Sequence, residues 1–159
     1  MTDALAAAAA LQFGAPRAGR SHRDRPAAFG VALRDGKVAV VRVRRPGEDY
    51  IDLPGGAIEA GESEVEALVR EFGEETGLVV AAGDLLTRSS QYLITGDDEP
   101  ANNRAGHFVV ELVGEDGALK IEADHALVWL DPVEALSRLR HDSHAWALAT
   151  WLRRQASAA

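Results

Sequence analysis

Glu71, Glu74 and Glu75 form a tight acidic group in the stretch Arg70-Glu71-Phe72-Gly73-Glu74-Glu75. If that stretch is helical, at 100° per residue, Glu75 falls about 40° to one side of Glu71 and Glu74 about 60° to the other, so the three carboxylates face one place. Like charges three and four residues apart cost a helix about 0.2–0.5 kcal/mol each, so the cluster calls for positive charge. Arg70, four residues before Glu74, supplies one guanidinium, and the group remains net negative. Hard oxygen donors without imidazole or thiolate suit Mg²⁺, with Mn²⁺ as a substitute. Just upstream, Leu53-Pro54-Gly55-Gly56 lets the backbone approach closely where a Cβ would block it, so a carbonyl can join the carboxylates. Together they describe a centre that keeps open positions for substrate phosphates and water.

The elements that must hold this group follow from local pattern. Ser63 and Glu66 make a capping box, Val65, Leu68, Val69 and Phe72 recur at the spacing of one buried helical face, and Gly77 ends the helix. Ahead of it, residues 28–33 and 37–43 are apolar runs joined through Asp35-Gly36, the signal of a β-hairpin, and Tyr50-Ile51-Asp52-Leu53 is a short strand. After it, strands are expected at 89–95, 107–113 and 126–130, with a polar loop over Gly96 to Asn103. Asp131-Pro132-Val133-Glu134 opens a short helix. A last helix starts at Asp142 or Ser143, with Ala145, Leu148, Ala149 and Leu152 on its inner face. Residues 1–25 read as a flexible tail, with a short helix over Asp3 to Gln12 and Arg17, Arg20, Arg23 and Arg25 as tail cations. The domain then covers residues 26–157, a single α/β unit with mixed strands.

Gly56, Glu62 and Arg70-Glu71-Phe72-Gly73-Glu74-Glu75-Thr76-Gly77-Leu78 match every defined position of a 23-residue signature, and on these residues the chain resembles the Nudix hydrolases. The resemblance implies the family's α/β/α sandwich and a Mg²⁺-dependent pyrophosphohydrolase. Such an enzyme cleaves a nucleoside diphosphate linked to another moiety by attack of water on phosphorus. Carried over residue by residue, Glu74, Glu75 and the Gly55 carbonyl are expected as metal ligands. Glu71 is a ligand or the general base, Arg70 the orienting partner and Glu62 a more distant contributor. Glu122 is the first choice for a carboxylate outside the box, ahead of Asp97, Asp98 and Glu99. Ile51 stands where many relatives carry a tryptophan, which turns attention to Tyr50, Tyr92 and Phe108 as base platforms. Arg44 and Arg45 are candidates for phosphate oxygens.

Composition bounds the alternatives. Lys+Arg 17 against Asp+Glu 25 gives a formal charge of −8, which disfavours nucleic acid and anionic membrane as partners. The absence of cysteine excludes a disulfide scaffold and thiolate metal sites, and with no signal peptide or membrane anchor expected it points to a cytoplasmic protein. A small nucleotide-derived substrate is the expected partner, and the family resemblance leaves room for a homodimer. Two other readings stay open: a nucleotide-metabolite sensor that does not turn over its ligand, and an RNA 5′-end pyrophosphohydrolase. His141-Asp142-Ser143-His144 reads as capping or surface contact, His107 as structural, and Trp129, Trp146 and Trp151 as packing residues.

Overall fold

The computed structural model describes residues 11–158. Its strands are β1 (Leu11–Phe13), β2 (Arg23–Val31), β3 (Leu33–Arg34), β4 (Lys37–Arg45), β5 (Glu48–Asp52), β6 (Gly55–Ala57), β7 (Leu78–Ile94), β8 (Pro100–Glu115) and β9 (His125–Leu130). The helices are α1 (Glu64–Thr76), α2 (Pro132–Arg138) and α3 (Asp142–Ala158), with a 3-10 turn at Gly117–Leu119. One sheet runs β1-β7-β8-β2-β6, and a second contains β3-β4-β5 with β9 on the other edge of β4. The pairing β2–β8 is parallel and β7–β8 antiparallel, so the larger sheet is mixed.

Strand β2 explains the layering. Its successive side chains point to opposite faces: Ala27, Phe29 and Val31 pack with Ala135 of α2, its cap residue Leu139, and Ala147 and Leu148 of α3, whereas Ala28 packs with Leu68 and Phe72 of α1. Helices therefore cover both faces, the expected α/β/α sandwich. Burying Leu68 and Phe72 contributes roughly 1.5–3 kcal/mol each. Helix α1 begins where the capping pattern puts it, with the Glu66 amide donating to Ser63 Oγ at 3.1 Å, and the Gly77 amide closes it on the Gly73 carbonyl at 2.9 Å. The Asp35-Gly36 turn has φ of 52° and 76°, the two positive angles that a tight hairpin needs.

Several expectations are corrected. Val65 is 44% exposed, and the buried face of α1 is Ala67, Leu68 and Phe72 with Val69 half-buried, a stripe that leaves Val65 on the solvent side. On α3 the inner face is Ser143, His144, Ala147 and Leu148, and Ala149 is exposed. Trp146 is 46% exposed, while Trp129 and Trp151 are half-buried. The polar loop shrinks to the turn between Thr95 and Glu99, since residues 100–103 belong to β8. Paired on both sides, that strand can bury Asn102 and Asn103. Within the segment read as a tail, Leu11–Phe13 pairs in parallel with β7 and β2 starts at Arg23, before the Pro26 taken as the domain's start. Gln12 and Asn102 exchange amide hydrogen bonds of 3.0 and 3.1 Å, a contact across 90 residues that local pattern does not carry. Most of the helix expected over Asp3 to Gln12 lies outside the described residues. Among the described residues no helix is long and apolar enough to cross a membrane.

Candidate active site

Arg70 is the hub of the acidic cluster. It grips Glu62 with two nitrogens at 2.7 and 2.9 Å, and reaches Glu71 Oε1 at 2.9 Å and Glu74 Oε2 at 3.2 Å. It also donates to the Ala57 carbonyl at 3.0 Å, which ties α1 to β6. This fork-to-fork pairing, with the Glu59 amide also donating to Glu62, holds the Glu62 carboxyl down at about 2. Arg70 itself is pushed up, chiefly by Glu62.

Beyond this hub a cleft of about 280 Å³ opens between the sheets, lined by Glu71, Glu75, Gly55, Gly56, Glu122 and Arg45 among others. Glu75 is only 5% exposed, and that burial pushes its carboxyl up to about 7 against the pull of two donors. Its Oε1 accepts from the Gly55 amide at 2.8 Å, and its Oε2 lies 3.1 Å from His125 Nε2. The other ring nitrogen of His125 is 2.8 Å from Asp124 Oδ1, and Asp124 Oδ2 accepts from Arg45. Glu75, His125, Asp124 and Arg45 thus form one chain of charge-assisted contacts. Two acceptors hold the His125 imidazolium, whose pKa is raised to about 9 mainly by Glu75, and Arg45 with His125 holds Asp124 down at about 2. Glu71 is raised by burial, with Glu74 and Glu122 adding repulsion against the pull of Arg70.

Glycine at position 56 is required by packing. A Cβ there would lie 2.8–3.0 Å from the carboxyl group of Glu71, so the carboxylate rests on bare backbone. Buried oxygen donors with a surplus of negative charge fit a hard divalent cation. Glu71, Glu75 and Glu122 line the cleft together with Glu48 and Asp52, of which Glu48 lies 3.6 Å from Arg45 and Asp52 accepts from Arg140 at 2.7 Å. Glu122, Asp124 and His125 also come within 4.8 Å of one another, but Asp124 and His125 are already engaged by Arg45 and Glu75.

The remaining candidates are placed as follows. Glu74 stands behind the wall on Arg70, and its backbone carbonyl accepts the amides of Ile121 and Glu122 at 3.0 and 3.1 Å, which anchors the Glu122 segment to α1. Arg45 reaches the cleft, whereas its neighbour Arg44 points to the opposite, exposed face of β4, as strand alternation requires. Tyr92 is not on the cleft and packs edge-on against His22. The Tyr50 ring is covered by the Arg140 guanidinium at 3.6 Å, and Phe108 lies in the core against α1. Asp97, Asp98 and Glu99 are off the wall, with Glu99 3.8 Å from Arg23.

Other residues on the wall escaped sequence reasoning: Arg25, Asn103, Asp52, His125, His141 and His144. The two helix-start histidines are buried, not surface groups. His144 Nδ1 accepts the Leu53 amide at 3.2 Å, and its ring lies 4.5 Å from that of Phe29 and 5.3 Å from that of His107. A sequence signal did exist for His125, which follows Glu122 and Asp124 at the start of a strand.

The family model of the NUDIX domain matches residues 24–153. An ADP-ribose pyrophosphatase of Methanocaldococcus jannaschii is 34% identical over 101 residues, 60% of this chain and 54% of that protein. An RNA pyrophosphohydrolase of Sphingopyxis alaskensis is 32% identical over 115 residues, 64% of this chain and 73% of that one. The chain thus spans about half the length of the first relative and nearly three quarters of the second. A NUDIX hydrolase from Nitrosomonas europaea superposes with a TM-score of 0.69 at 20% identity, over 82% of this chain and 90% of that one.

Proposed function

The chain belongs to the NUDIX hydrolase family, and from that premise we propose a Mg²⁺-dependent pyrophosphohydrolase that cleaves the diphosphate of a small nucleotide derivative by attack of water on phosphorus. The observation that carries this reading is the convergence of Glu71, Glu75 and Glu122 on one cleft whose volume suits a small ligand. A divalent cation held there by Glu71, Glu75 and Glu122 would neutralise charge on the phosphate oxygens and acidify water.

The protein's own groups divide the remaining work. Glu75 has one oxygen on the Gly55 amide and the other beside His125 Nε2, so it is fixed in orientation, and each oxygen keeps a second lone pair for a metal, which the two engaged ring nitrogens of His125 do not. Glu71 has Oε1 on Arg70, which leaves Oε2 to take the proton of the attacking water, and burial raises its basicity. Arg70 positions Glu71 and Glu74, and Glu62 positions Arg70. Gly55, on β6 at the cleft wall, offers a backbone carbonyl as a further ligand, and Glu122 completes the set. Glu74, held off the wall, takes part through the backbone of Glu122 or as an outer ligand. The enzyme comprises residues 26–157 together with β1 and the start of β2 at Arg23.

The test is product release over nucleoside di- and triphosphates, ADP-ribose, dinucleoside polyphosphates and 5′-triphosphorylated RNA with Mg²⁺ or Mn²⁺, beside Glu71→Gln. Turnover of one class that collapses in the variant supports the reading. Tight binding of one ligand without turnover overturns it in favour of a sensor.

A further inference from the structure

Arg25 is an anomaly of charge. Among the described residues, the other half-buried arginines, Arg34, Arg42, Arg45 and Arg70, each hold a carboxylate within 4.0 Å, and Arg25 holds none. Its side chain lies on the cleft wall, where burial lowers its pKa and the charges of Glu71 and Glu75 act only from a distance. Buried charge without a partner is costly. Of the five N–H donors on the guanidinium, one is used, from Nη1 to Asn103 Oδ1 at 3.0 Å. Asn103 is itself 3% exposed and sits opposite Arg25 in the parallel β2–β8 pairing, so the amide fixes the guanidinium against the sheet. The cation across the cleft, Arg45, is already neutralised by Asp124 and lies 3.6 Å from Glu48.

We infer that Arg25, braced by Asn103, is the residue that binds a phosphate oxygen of the substrate in this cleft. The ligand class is a phosphoryl or diphosphoryl group. The guanidinium's unused donors match such oxygens in pairs, and the acidic wall opposite takes charge of the other sign. The inference rests on the hydrolase reading above and reassigns to Arg25 the phosphate contact expected of Arg44 and Arg45. Arg25 binds the ligand directly, and Asn103 is a positioning residue.

The experiment measures binding of inorganic pyrophosphate in the presence of Mg²⁺, and separately of Mn²⁺ alone, to the full chain and to Arg25→Gln, Arg25→Lys and Asn103→Ala, each checked for folding by circular dichroism. Expected are a pyrophosphate Kd raised about tenfold or more in Arg25→Gln, partial recovery in Arg25→Lys, a smaller loss in Asn103→Ala, and a Mn²⁺ Kd within about twofold of wild type throughout. An unchanged pyrophosphate Kd in Arg25→Gln overturns the inference, as does failure of the wild type to bind pyrophosphate. So does a Mn²⁺ Kd that moves in step with pyrophosphate, because Arg25 then serves the carboxylates. Turnover on the substrate panel is scored separately, so failure of the hydrolase reading is distinguishable from failure of this one.

Discussion

Replacing His107 with leucine, a side chain of similar volume, should uncouple much of the protein's stability from acid pH. His107 is fully buried against the rings of Phe29 and His144, neither of its ring nitrogens has a hydrogen-bond partner, and burial lowers its pKa to about 3. In the unfolded chain the imidazole titrates near its ordinary value of about 6.5. A depressed histidine binds its proton only when the chain unfolds, so its contribution to stability is full above about 6.5 and is lost as pH falls toward the folded value. At about 1.36 kcal/mol per pH unit, the drop from pH 7.5 to 5.0 removes about 2 kcal/mol through this one group. His141, lowered to about 4, and His144, also lowered by burial, act in the same direction in both proteins. Glu75, raised by burial, acts in the opposite direction, again in both. The assay is urea unfolding of wild type and His107→Leu at intervals between pH 5.0 and 7.5. The wild-type stability minus that of the variant should fall by about 2 kcal/mol across the range. Parallel curves would refute the reasoning, for they mean that His107 is protonated or partnered in the folded state.

Three further outcomes follow from the site. Gly56→Ala drives a Cβ into the Glu71 carboxyl. Because a side-chain end can yield, steady-state turnover should fall about tenfold or more while the melting temperature moves little, and unchanged turnover would show that Glu71 tolerates displacement. Glu122→Gln should lower turnover at least about tenfold and weaken Mn²⁺ binding, since it removes a charged donor from the cleft wall; calorimetric titration that finds both unchanged removes Glu122 from the site. Arg70→Gln leaves Glu62, Glu71 and Glu74 without their shared cation, so thermal denaturation should show a loss of about 1–3 kcal/mol together with loss of turnover, and a variant as stable and active as wild type would dismiss Arg70 as the organiser.

The legible part of this protein was the local part. Helix α1, its cap and stop, and the facing of Glu71 and Glu75 follow from 3.6-residue periodicity and capping chemistry within a stretch of 23 residues. The hidden part depends on pairings between distant segments. Arg25 reads as a tail cation until β8 comes alongside it, and Tyr92 reads as a platform until the sheet turns it toward His22. Strand alternation separates Arg44 from Arg45 only once the sheet facing each side of β4 is known. The histidines at the start of α3 look like surface groups because all four residues 141–144 are polar or ionisable. Only the contacts of His144 with Phe29 and Leu53, and of His141 with His144, make them core.

The parallel pairing of β2 with β8 carries a consequence for the order of assembly. Residues in register across it, such as Arg25 and Asn103, are 78 apart in the chain. Closing a loop of that length costs about 4 kcal/mol of chain entropy beyond a constant, and no contact offsets it until the strands meet. Helix α1 and the turn before it need only nearby residues and can form early. Contact-order reasoning then makes docking of β8 the slow event of folding. A nascent chain that has emerged only as far as Leu78 therefore carries the complete acidic motif without the cleft that gives it a use. Shelter for the phosphate arrives after the charge, when the second half of the sheet closes on the first.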